Sequence, residues 1–268
     1  MAMEDTERCY KTDYELQKAV ADSIEREYIV LHEEEIEKSD IRINSVSPTY
    51  EVTNERCLQT AIRYVRSNMK VGVLNFANCY TVGGAPFSAG AQEESICRCS
   101  TLYPCLQAQS DAFYSKHRKL RKSGQITHMG NDDLIFTPDV IVFKTEKWQD
   151  GAIVPRLLPS DEWFRINIIT CAAPELWHGN QKPANYEEQI TSRIKKILDV
   201  AEKECIEALV LGAWGCGAFK NPPEVVAGVF RRLLDSYNFK VVSFAMASDV
   251  SRNSPFARLF GGDHVGAN

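Results

Sequence analysis

The sequence lacks a run of apolar residues long enough to cross a membrane, and its first residues lack the apolar stretch of a signal peptide. Positive charge is also in short supply, because 31 lysines and arginines against 36 aspartates and glutamates leave a formal net charge of −5. Such a chain has no bulk positive field for duplex nucleic acid. We therefore expect no membrane partner, no general nucleic-acid binding and a cytoplasmic location, with a nuclear one open for a eukaryotic source.

The nine cysteines lack the paired spacing that zinc sites use. The densest group, "CRCSTLYPC", brings Cys97, Cys99 and Cys105 together with neither a CxxC pair nor a nearby histidine. We interpret them as reduced thiols on buried helix faces. The sequence therefore predicts no metal site and no cofactor.

Internal repeats, low-complexity tracts and Pro/Ser-rich linkers are missing as well. A chain of 268 residues that is 44% hydrophobic can bury one large core. The simplest division has an N-terminal helical extension, residues 1–50, packed on a single domain, residues 51–268. We expect a monomer.

Segments with strand and helix character alternate along the chain. Short apolar runs typical of buried strands are "KVGVLNFAN", "FRINIITCAAP", "EALVL" and "KVVSFAMA". "IRINSV" alternates like a strand, and "DDLIFTPDVIVFK" indicates two strands around Pro138. Helical spacing predicts helices over 14–32, over 52–67 with Thr53 as a cap, over about 92–106, over 185–205 and 222–237, and in "SPFARLF". This alternation predicts an α/β domain with a largely parallel central sheet.

Two glycine-rich loops each follow a buried strand and precede a helix. They are "TVGGAPFSAGA" and "LGAWGCGAF", and neither fits the GxGxxG or GxxxxGK[ST] pattern. Small residues let a ligand approach the main chain, and ligands of parallel sheets bind beyond the carboxyl ends of the strands. Two such loops across one cleft favour a diphosphate. The structural alternative is a pair of tight turns, with Trp214 in the core.

Glu93 and Glu94 are adjacent carboxylates directly after the first loop. Neighbours on a helix point about a hundred degrees apart, so the two acids can take separate roles at a sugar. Near fixed phosphates the pKa of a carboxylic acid rises, which suits proton donation to a leaving oxygen near neutral pH. For the pair in isolation, the preferred interpretation is simply two acids that favour the first turn of a helix.

"VGGAPFSAGAQEE" resembles the GGG-x(6–8)-QEE signature of poly(ADP-ribose) glycohydrolases. With "NFAN", "STLYP" and "LGAWGCGAF" at their separations, the chain resembles the microbial-type members from about Tyr28 to Phe260. The resemblance implies a macrodomain-like, three-layer α/β/α fold with a mixed, largely parallel central sheet. It also implies an ADP-ribose cleft at the strand ends.

The resemblance implies a role for each matched position. Glu94 would be the catalytic acid, Glu93 would orient the ribose, and Gln92 would support the loop. Asn78 would contact the ribose beside the scissile bond, and Phe219 would pack on the ribose. The remaining implied binding residues are Gly83 and Gly84 in the first loop, and Gly215, Cys216, Gly217 and Ala218 in the second.

The implied activity is hydrolysis of the ribose–ribose O-glycosidic bond of poly(ADP-ribose) from chain ends, with release of ADP-ribose. The partners would be ADP-ribose and poly(ADP-ribose) or ADP-ribosylated protein. Two alternatives stay open: a mono-ADP-ribosyl hydrolase and a macrodomain that binds ADP-ribose without cleaving it. One departure from the signature is that Ala85, followed by Pro86, replaces the third glycine. It puts the rate and the preference for polymer in doubt.

Overall fold

The structure, a computed structural model, describes residues 2–37, 48–149, 152–177, 179–247 and 254–261. The strands are β1 (Tyr28–Val30), β2 (Thr49–Thr53), β3 (Val71–Ala77), β4 (Leu134–Val142), β5 (Lys144–Gln149), β6 (Ala152–Leu157), β7 (Phe164–Ala172), β8 (Ala208–Leu211) and β9 (Val241–Ala245). The helices are α1 (Ala2–Thr12), α2 (Tyr14–Arg26), α3 (Cys57–Arg66), α4 (Gln92–Cys99), α5 (Leu102–Ala108), α6 (Lys116–Lys122), α7 (Tyr186–Lys203), α8 (Pro223–Leu234) and α9 (Pro255–Phe260). A π-helical turn, Ser110–Ser115, leads into α6.

A seven-stranded sheet with the order β1–β4–β7–β3–β8–β9–β2 forms the centre of the fold. Strands β7, β3, β8, β9 and β2 are parallel, and β4 is antiparallel to both of its neighbours. This arrangement confirms the expected mixed, largely parallel sheet. The carboxyl ends of the parallel strands therefore share one edge, where the loops after β3 and β8 meet.

Two apolar cores cover the two faces of the sheet. Alternate residues of β8 show the division, since Leu209 packs with α7 and α8 while Val210 packs with α3, α4 and α5. Helices α1 and α2 belong to the second core, through buried residues such as Met3 and Leu16. The three-layer α/β/α arrangement thus follows from strands that are apolar on both faces.

The predicted helix over 14–32 is wrong in its last part. Helix α2 ends at Arg26, and residues 28–30 form β1, which pairs antiparallel with β4. Aromatic and β-branched residues favour this pairing: Tyr28 lies opposite Phe136, and Ile29 opposite Ile135. Strand β1 lies on the N-terminal side of residue 50, and the division of the chain there stays a prediction.

Strand β4 is one strand and not the two predicted around Pro138. The register against β7 shifts between Thr137 and Val140, and Asp139 has a φ of 51°. A proline cannot donate to the ladder, and a bulge lets the strand continue past it.

Two helix boundaries also differ from expectation. Thr53 lies in β2, and α3 begins at Cys57 after Arg56, whose backbone N–H donates to Gln59 Oε1 at 3.0 Å. The predicted helix over 92–106 is interrupted at Ser100 and Thr101, where the Thr101 N–H donates to the Ile141 carbonyl at 2.9 Å. The other predicted helices and buried strands are present, except that "IRINSV" lies outside the described residues. None of the helices in the described ranges has the length and apolar character of a membrane span.

Candidate active site

The loops after β3 and β8 form opposite walls of a cavity of about 480 Å³ at the carboxyl edge of the sheet. Its lining includes nine of the eleven residues singled out in the sequence: Asn78, Gly84, Gln92, Glu93, Glu94, Gly215, Gly217, Ala218 and Phe219. Gly83 and Cys216 are not among the lining residues. The volume falls in the range typical of pockets for organic ligands.

The side-chain amide of Gln92 binds the backbone of β3 at the residues beyond the last pair that β3 forms with β8. The last pair between these strands is Val73 with Val210. Beyond it, Gln92 Nε2 donates to the Leu74 carbonyl and the Phe76 N–H donates to Gln92 Oε1, both at 2.8 Å. The side-chain amide therefore replaces a strand and fixes the start of α4 against β3.

Glu93 is buried, with 3% of its surface exposed, and both of its carboxyl oxygens are bound by the protein. The Asn78 N–H donates to Oε2 at 2.9 Å, and Asn75 Nδ2 donates to Oε1 at 3.2 Å. Burial raises the pKa of Glu93 to about 8, and the charge of Glu94 adds to the rise, against the lowering effect of these hydrogen bonds. Burial therefore favours the protonated form of Glu93.

Glu94 is held by only one of its oxygens. Its Oε1 accepts a hydrogen bond from the Ala85 N–H at 3.1 Å, whereas its buried Oε2 has no partner among the described residues. With 8% of its surface exposed, Glu94 lines the cavity. A residue at the cavity wall thus keeps one carboxyl oxygen without a hydrogen-bond partner among the described residues.

The conformation of the first loop requires glycine at two positions, for different reasons. Gly84 has a φ of +67°, and a Cβ there would lie 2.4 Å from Glu94 Oε1. Gly83 has a φ of +62°, and a Cβ there would lie 2.8 Å from the ring of Tyr103 on α5. Gly84 thus makes room for the acid, whereas Gly83 packs against a helix behind the loop.

Buried Arg98, one helical turn after Glu94, fixes the far side of the loop. Its NH1 donates to the Pro86 carbonyl at 3.0 Å and to the Ala89 carbonyl at 2.6 Å. Ala85, in place of the third glycine, keeps the N–H that binds Glu94. The replacement therefore leaves the contact between loop and acid in place.

Asn78 and α6 fix the near side of the same loop. Asn78 Oδ1 accepts hydrogen bonds from the N–H groups of Tyr80 at 2.8 Å and Thr81 at 3.0 Å. Arg118 on α6 donates through NH1 to the Tyr80 carbonyl at 2.6 Å. The side-chain oxygen of Asn78 therefore stabilises the turn that follows β3.

The second loop is fixed mainly by its own packing. Trp214 is fully buried and donates through Nε1 to the Cys171 carbonyl at 2.9 Å. Gly215 has a φ of +72°, and a Cβ there would lie 2.4 Å from Ala173 Cβ. Asn221 Nδ2 donates to the Gly215 carbonyl at 3.0 Å. The second loop is therefore both a tight turn with Trp214 in the core and a wall of the cavity.

Cys216 and Phe219 take different places in this loop. The Cys216 thiol lies 3.5 Å from the Trp214 carbonyl, and burial raises its pKa to about 12, so it stays a thiol. Half-buried Phe219 lines the cavity, with its ring centroid 6.4 Å from that of Trp177. The two rings offer an apolar surface at the rim.

A second cavity of about 320 Å³ adjoins the first. The two cavities share Phe76, Ala91, Gln92 and Ala213 in their linings. The second is completed by the end of β9, at Ala245, Met246 and Ala247, and by the start of α3. One elongated cleft therefore runs from the two acids to the far end of the sheet.

The three clustered cysteines lie in the core, and all nine cysteines are free. Among the described residues, His32, Glu33 and Asp133 have ligand atoms close enough to hold a metal ion. The Lys116 ammonium lies 3.4 Å from Asp133 Oδ2 and disfavours a cation there. We assign this group no metal-binding role.

The sequence analysis did not single out several residues that hold the site in place. Asn75 carried a usable signal, because it is a polar residue inside the apolar run "VGVLNFA". Arg98 and Arg118 carried none, since an arginine on a short helix is ordinary until the fold shows the carbonyls that it binds.

The arrangement matches known structures over nearly the whole chain. The crystal structure of poly(ADP-ribose) glycohydrolase (PARG) from Thermomonospora curvata is 30% identical, with 91% of this chain and 89% of that one covered and a TM-score of 0.77. The same protein bound to the inhibitor ADP-HPD gives a TM-score of 0.72 at 30% identity, over 90% of this chain and 88% of that one. PARG from Deinococcus radiodurans in complex with ADP-ribose gives 0.72 at 29% identity, over 90% and 97%.

No curated protein sequence matches the chain. Residues 4–145, more than half of the chain, match the family described as the microbial-type PARG catalytic domain. These findings confirm the resemblance drawn from the loops and from "QEE". The chain belongs to the microbial-type poly(ADP-ribose) glycohydrolase family.

Proposed function

We propose that the protein hydrolyses the ribose–ribose O-glycosidic bond of poly(ADP-ribose) at chain ends and releases ADP-ribose. The observation that carries this proposal is the unequal engagement of two neighbouring acids. Glu93 has both oxygens bound by the protein, whereas Glu94 has one oxygen unpartnered at the cavity. One acid is thus placed to orient the sugar, and the other to transfer a proton.

In this mechanism Glu94 donates its proton to the 2′-oxygen of the leaving ribose as the bond from that oxygen to C1″ breaks. The terminal ribose becomes an oxocarbenium-like species, and the electron pair of the bond stays on the leaving oxygen. Glu94, now a carboxylate, takes a proton from the water that attacks C1″. The products are ADP-ribose, a polymer shorter by one unit and regenerated Glu94.

Glu93 supports this chemistry as a neutral acid. Because burial raises its pKa to about 8, the neutral form of Glu93 is favoured, and this acid does not add a negative charge beside the incoming diphosphate. Its contact with the Asn78 N–H also fixes the turn beside the terminal ribose. Glu93 therefore orients the sugar without repelling the ligand.

The elongated cleft suits an elongated ligand. With the terminal ribose at Glu94, the diphosphate lies between the two glycine loops, and the adenosine extends toward Ala213 and Met246. Structural neighbours in complex with ADP-ribose or with ADP-HPD support a ligand of this class. Both walls of the cleft come from one chain, so we propose that a monomer is competent.

The decisive experiment compares release of free ADP-ribose from poly(ADP-ribose) by the wild type and by Glu94→Gln. Glu188→Gln is the matched control, because Glu188 is exposed and occupies the same position in the first turn of α7. We expect the wild type and the control to release ADP-ribose, and Glu94→Gln to lose at least about a thousandfold in kcat.

The same variants separate the alternatives. Binding of ADP-ribose by the wild type and Glu94→Gln without any turnover of polymer would contradict the proposal. Turnover of mono-ADP-ribosylated protein would then indicate a mono-ADP-ribosyl hydrolase. No turnover of either substrate would indicate a binding module.

A further inference from the structure

The chain is acidic overall, yet α6 carries a dense block of positive charge. Its seven residues, "KHRKLRK", include five lysines and arginines, and no acid occurs over residues 112–130. The buried side of the helix is formed by His117, with Leu120 half-buried. Arg118, Lys119, Arg121 and Lys122 are exposed.

Within this block, Lys119 and Lys122 differ from most other helix cations in having no acidic partner among the described residues, whereas the charge of Arg121 acts on Glu175. On other helices, Lys11 pairs with Glu7 and Lys195 with Asp199. Among the described residues, no carboxylate lies within 4.0 Å of a Lys119, Arg121 or Lys122 side-chain nitrogen. Like charges three or four residues apart repel each other on a helix, so the block costs stability that an anionic ligand would recover.

The block lies at the acid end of the cleft. Arg118 binds the Tyr80 carbonyl, two residues beyond the cavity-lining Asn78. The segment after α6 is attached to the other wall, where the Glu175 N–H donates to the His128 carbonyl at 2.9 Å, two residues beyond the lining Ala173. Helix α6 is therefore joined to the rim nearest the scissile bond, away from the Met246 end.

We propose that α6 is a docking surface for the polyanionic chain on the leaving-group side of the scissile bond, with Lys119 and Lys122 contacting the diphosphates of preceding units. This inference rests on the proposed function. The terminal unit occupies the cleft, so the remainder of the polymer leaves from the acid end and meets α6. Each further unit carries a diphosphate, which matches exposed, unpaired cations in charge. The occupant is thus the polymer and not a duplex nucleic acid, for which a chain of net charge −5 has no bulk positive field.

The test uses the double variant Lys119→Glu/Lys122→Glu in the full chain. The control is Arg66→Glu/Lys203→Glu, which makes the same charge change at exposed cations in the last turns of α3 and α7. Those helix ends precede β3 and β8 and lie at the opposite edge of the sheet. The substrates are long poly(ADP-ribose) and an aryl glycoside of ADP-ribose, which presents only a terminal unit and no preceding diphosphate.

We expect the α6 variant to lower kcat/KM on long polymer about tenfold at low salt, with a shallower salt dependence than the wild type. Its kcat/KM on the aryl glycoside stays at the wild-type value, and the control variant behaves as wild type on both substrates. An unchanged rate on polymer, or an equal loss on both substrates, overturns the inference.

Polymer binding, measured by fluorescence anisotropy with single-stranded DNA as competitor, separates this inference from the proposed function. A wild type that binds the polymer through α6 but does not cleave it contradicts the function and leaves the docking surface standing. Equal loss of affinity for DNA and for polymer in the α6 variant overturns the choice of occupant.

Discussion

Helices α4 and α7 begin with the same pattern, one residue followed by two glutamates, and the two pairs have opposite surroundings. In α7, Glu187 and Glu188 are exposed, and Glu187 pairs with Arg232 at 2.7 Å. In α4, Glu93 and Glu94 are buried at the cavity and bound by backbone N–H groups of the first loop. The first pair fits the favourable helix dipole, and the second fits the proposed chemistry.

The difference between the two helices lies in what precedes them. The loop before α4 folds back over the acids, with a glycine in contact with the carboxylate and an arginine from the same helix holding its carbonyls. Residues 180–185 before α7 carry no such contacts to Glu187 or Glu188 in the described structure. The two acids of α4 differ from those of α7 because the loop before α4 buries them and binds their carboxyl oxygens.

After Glu94→Gln itself, the largest expected effect comes from Gly84→Ala, which alters the loop over α4. A methyl group there would meet Glu94 Oε1 at 2.4 Å in a backbone conformation that L residues avoid, so the acid must move. We expect kcat on poly(ADP-ribose) to fall about a hundredfold, as for other misplacements of about 1 Å.

Gly217→Ala in the second loop is the control for that change. A Cβ there meets nothing within 4 Å. Its kcat should stay at the wild-type value, although KM can change because Gly217 lines the cavity. A loss of kcat equal to that of Gly84→Ala would show that the glycines matter for flexibility and not for space beside the acid.

Arg98→Ala is expected to act through the loop that it holds. It leaves the carbonyls of Pro86 and Ala89 without their donor, so the Ala85 N–H no longer stays fixed on Glu94. We expect kcat to fall about tenfold and the free energy of unfolding to fall by about 2 kcal/mol.

Arg98→Lys separates the two effects, because it keeps a charged donor in the same place. Partial recovery of kcat would support a positioning role. A variant that regains stability without kcat would contradict it.

Glu93→Gln is expected to change how stability depends on pH. The pKa of Glu93 is about 8 in the folded protein against 4.5 as the ordinary value, so the folded state holds this proton more tightly. Its contribution is fully present below pH 4.5 and is lost as the pH rises through about 8. The variant does not titrate, so its Tm relative to the wild type should rise by about 7 °C between pH 5 and pH 9.

Glu187→Gln on α7 provides the comparison for this pH series. Its Tm should differ little from that of the wild type, because water screens the exposed pair of Glu187 with Arg232. Parallel curves for Glu93→Gln and the wild type would show that the burial of Glu93 is not retained in solution.

The smallest expected effect is that of Arg232→Ala, which breaks the exposed pair with Glu187. The two side chains are 56% and 57% exposed, so water screens their attraction. We expect the free energy of unfolding to change by less than about 0.5 kcal/mol in urea titrations, with activity unchanged. A loss comparable to that of Arg98→Ala would remove the contrast between the two helices.

Local pattern was enough to predict much of this fold. The apolar runs of β3, β7, β8 and β9 and the amphipathic spacing of α7 and α8 predicted the largely parallel sheet in advance, and the family resemblance implied that it is mixed. Pattern failed where pairing partners decide the conformation. Residues 28–30 are compatible with a continued helix until β4 is present beside them, and residues 138–139 suggest an interruption until the bulge against β7 absorbs them.

The sequence by itself determined the family, and with it a predicted set of site residues, because "QEE" and two glycine loops at fixed separations carry the family signature. Only the tertiary structure decided which neighbours each of those residues contacts and which of them line the cavity. It turned Gly83 toward Tyr103 and Cys216 away from the cavity, and it left one oxygen of Glu94 unpartnered. The reason is physical: burial and hydrogen-bond partners belong to the neighbours that the fold brings together, and these cannot be read from the residue itself.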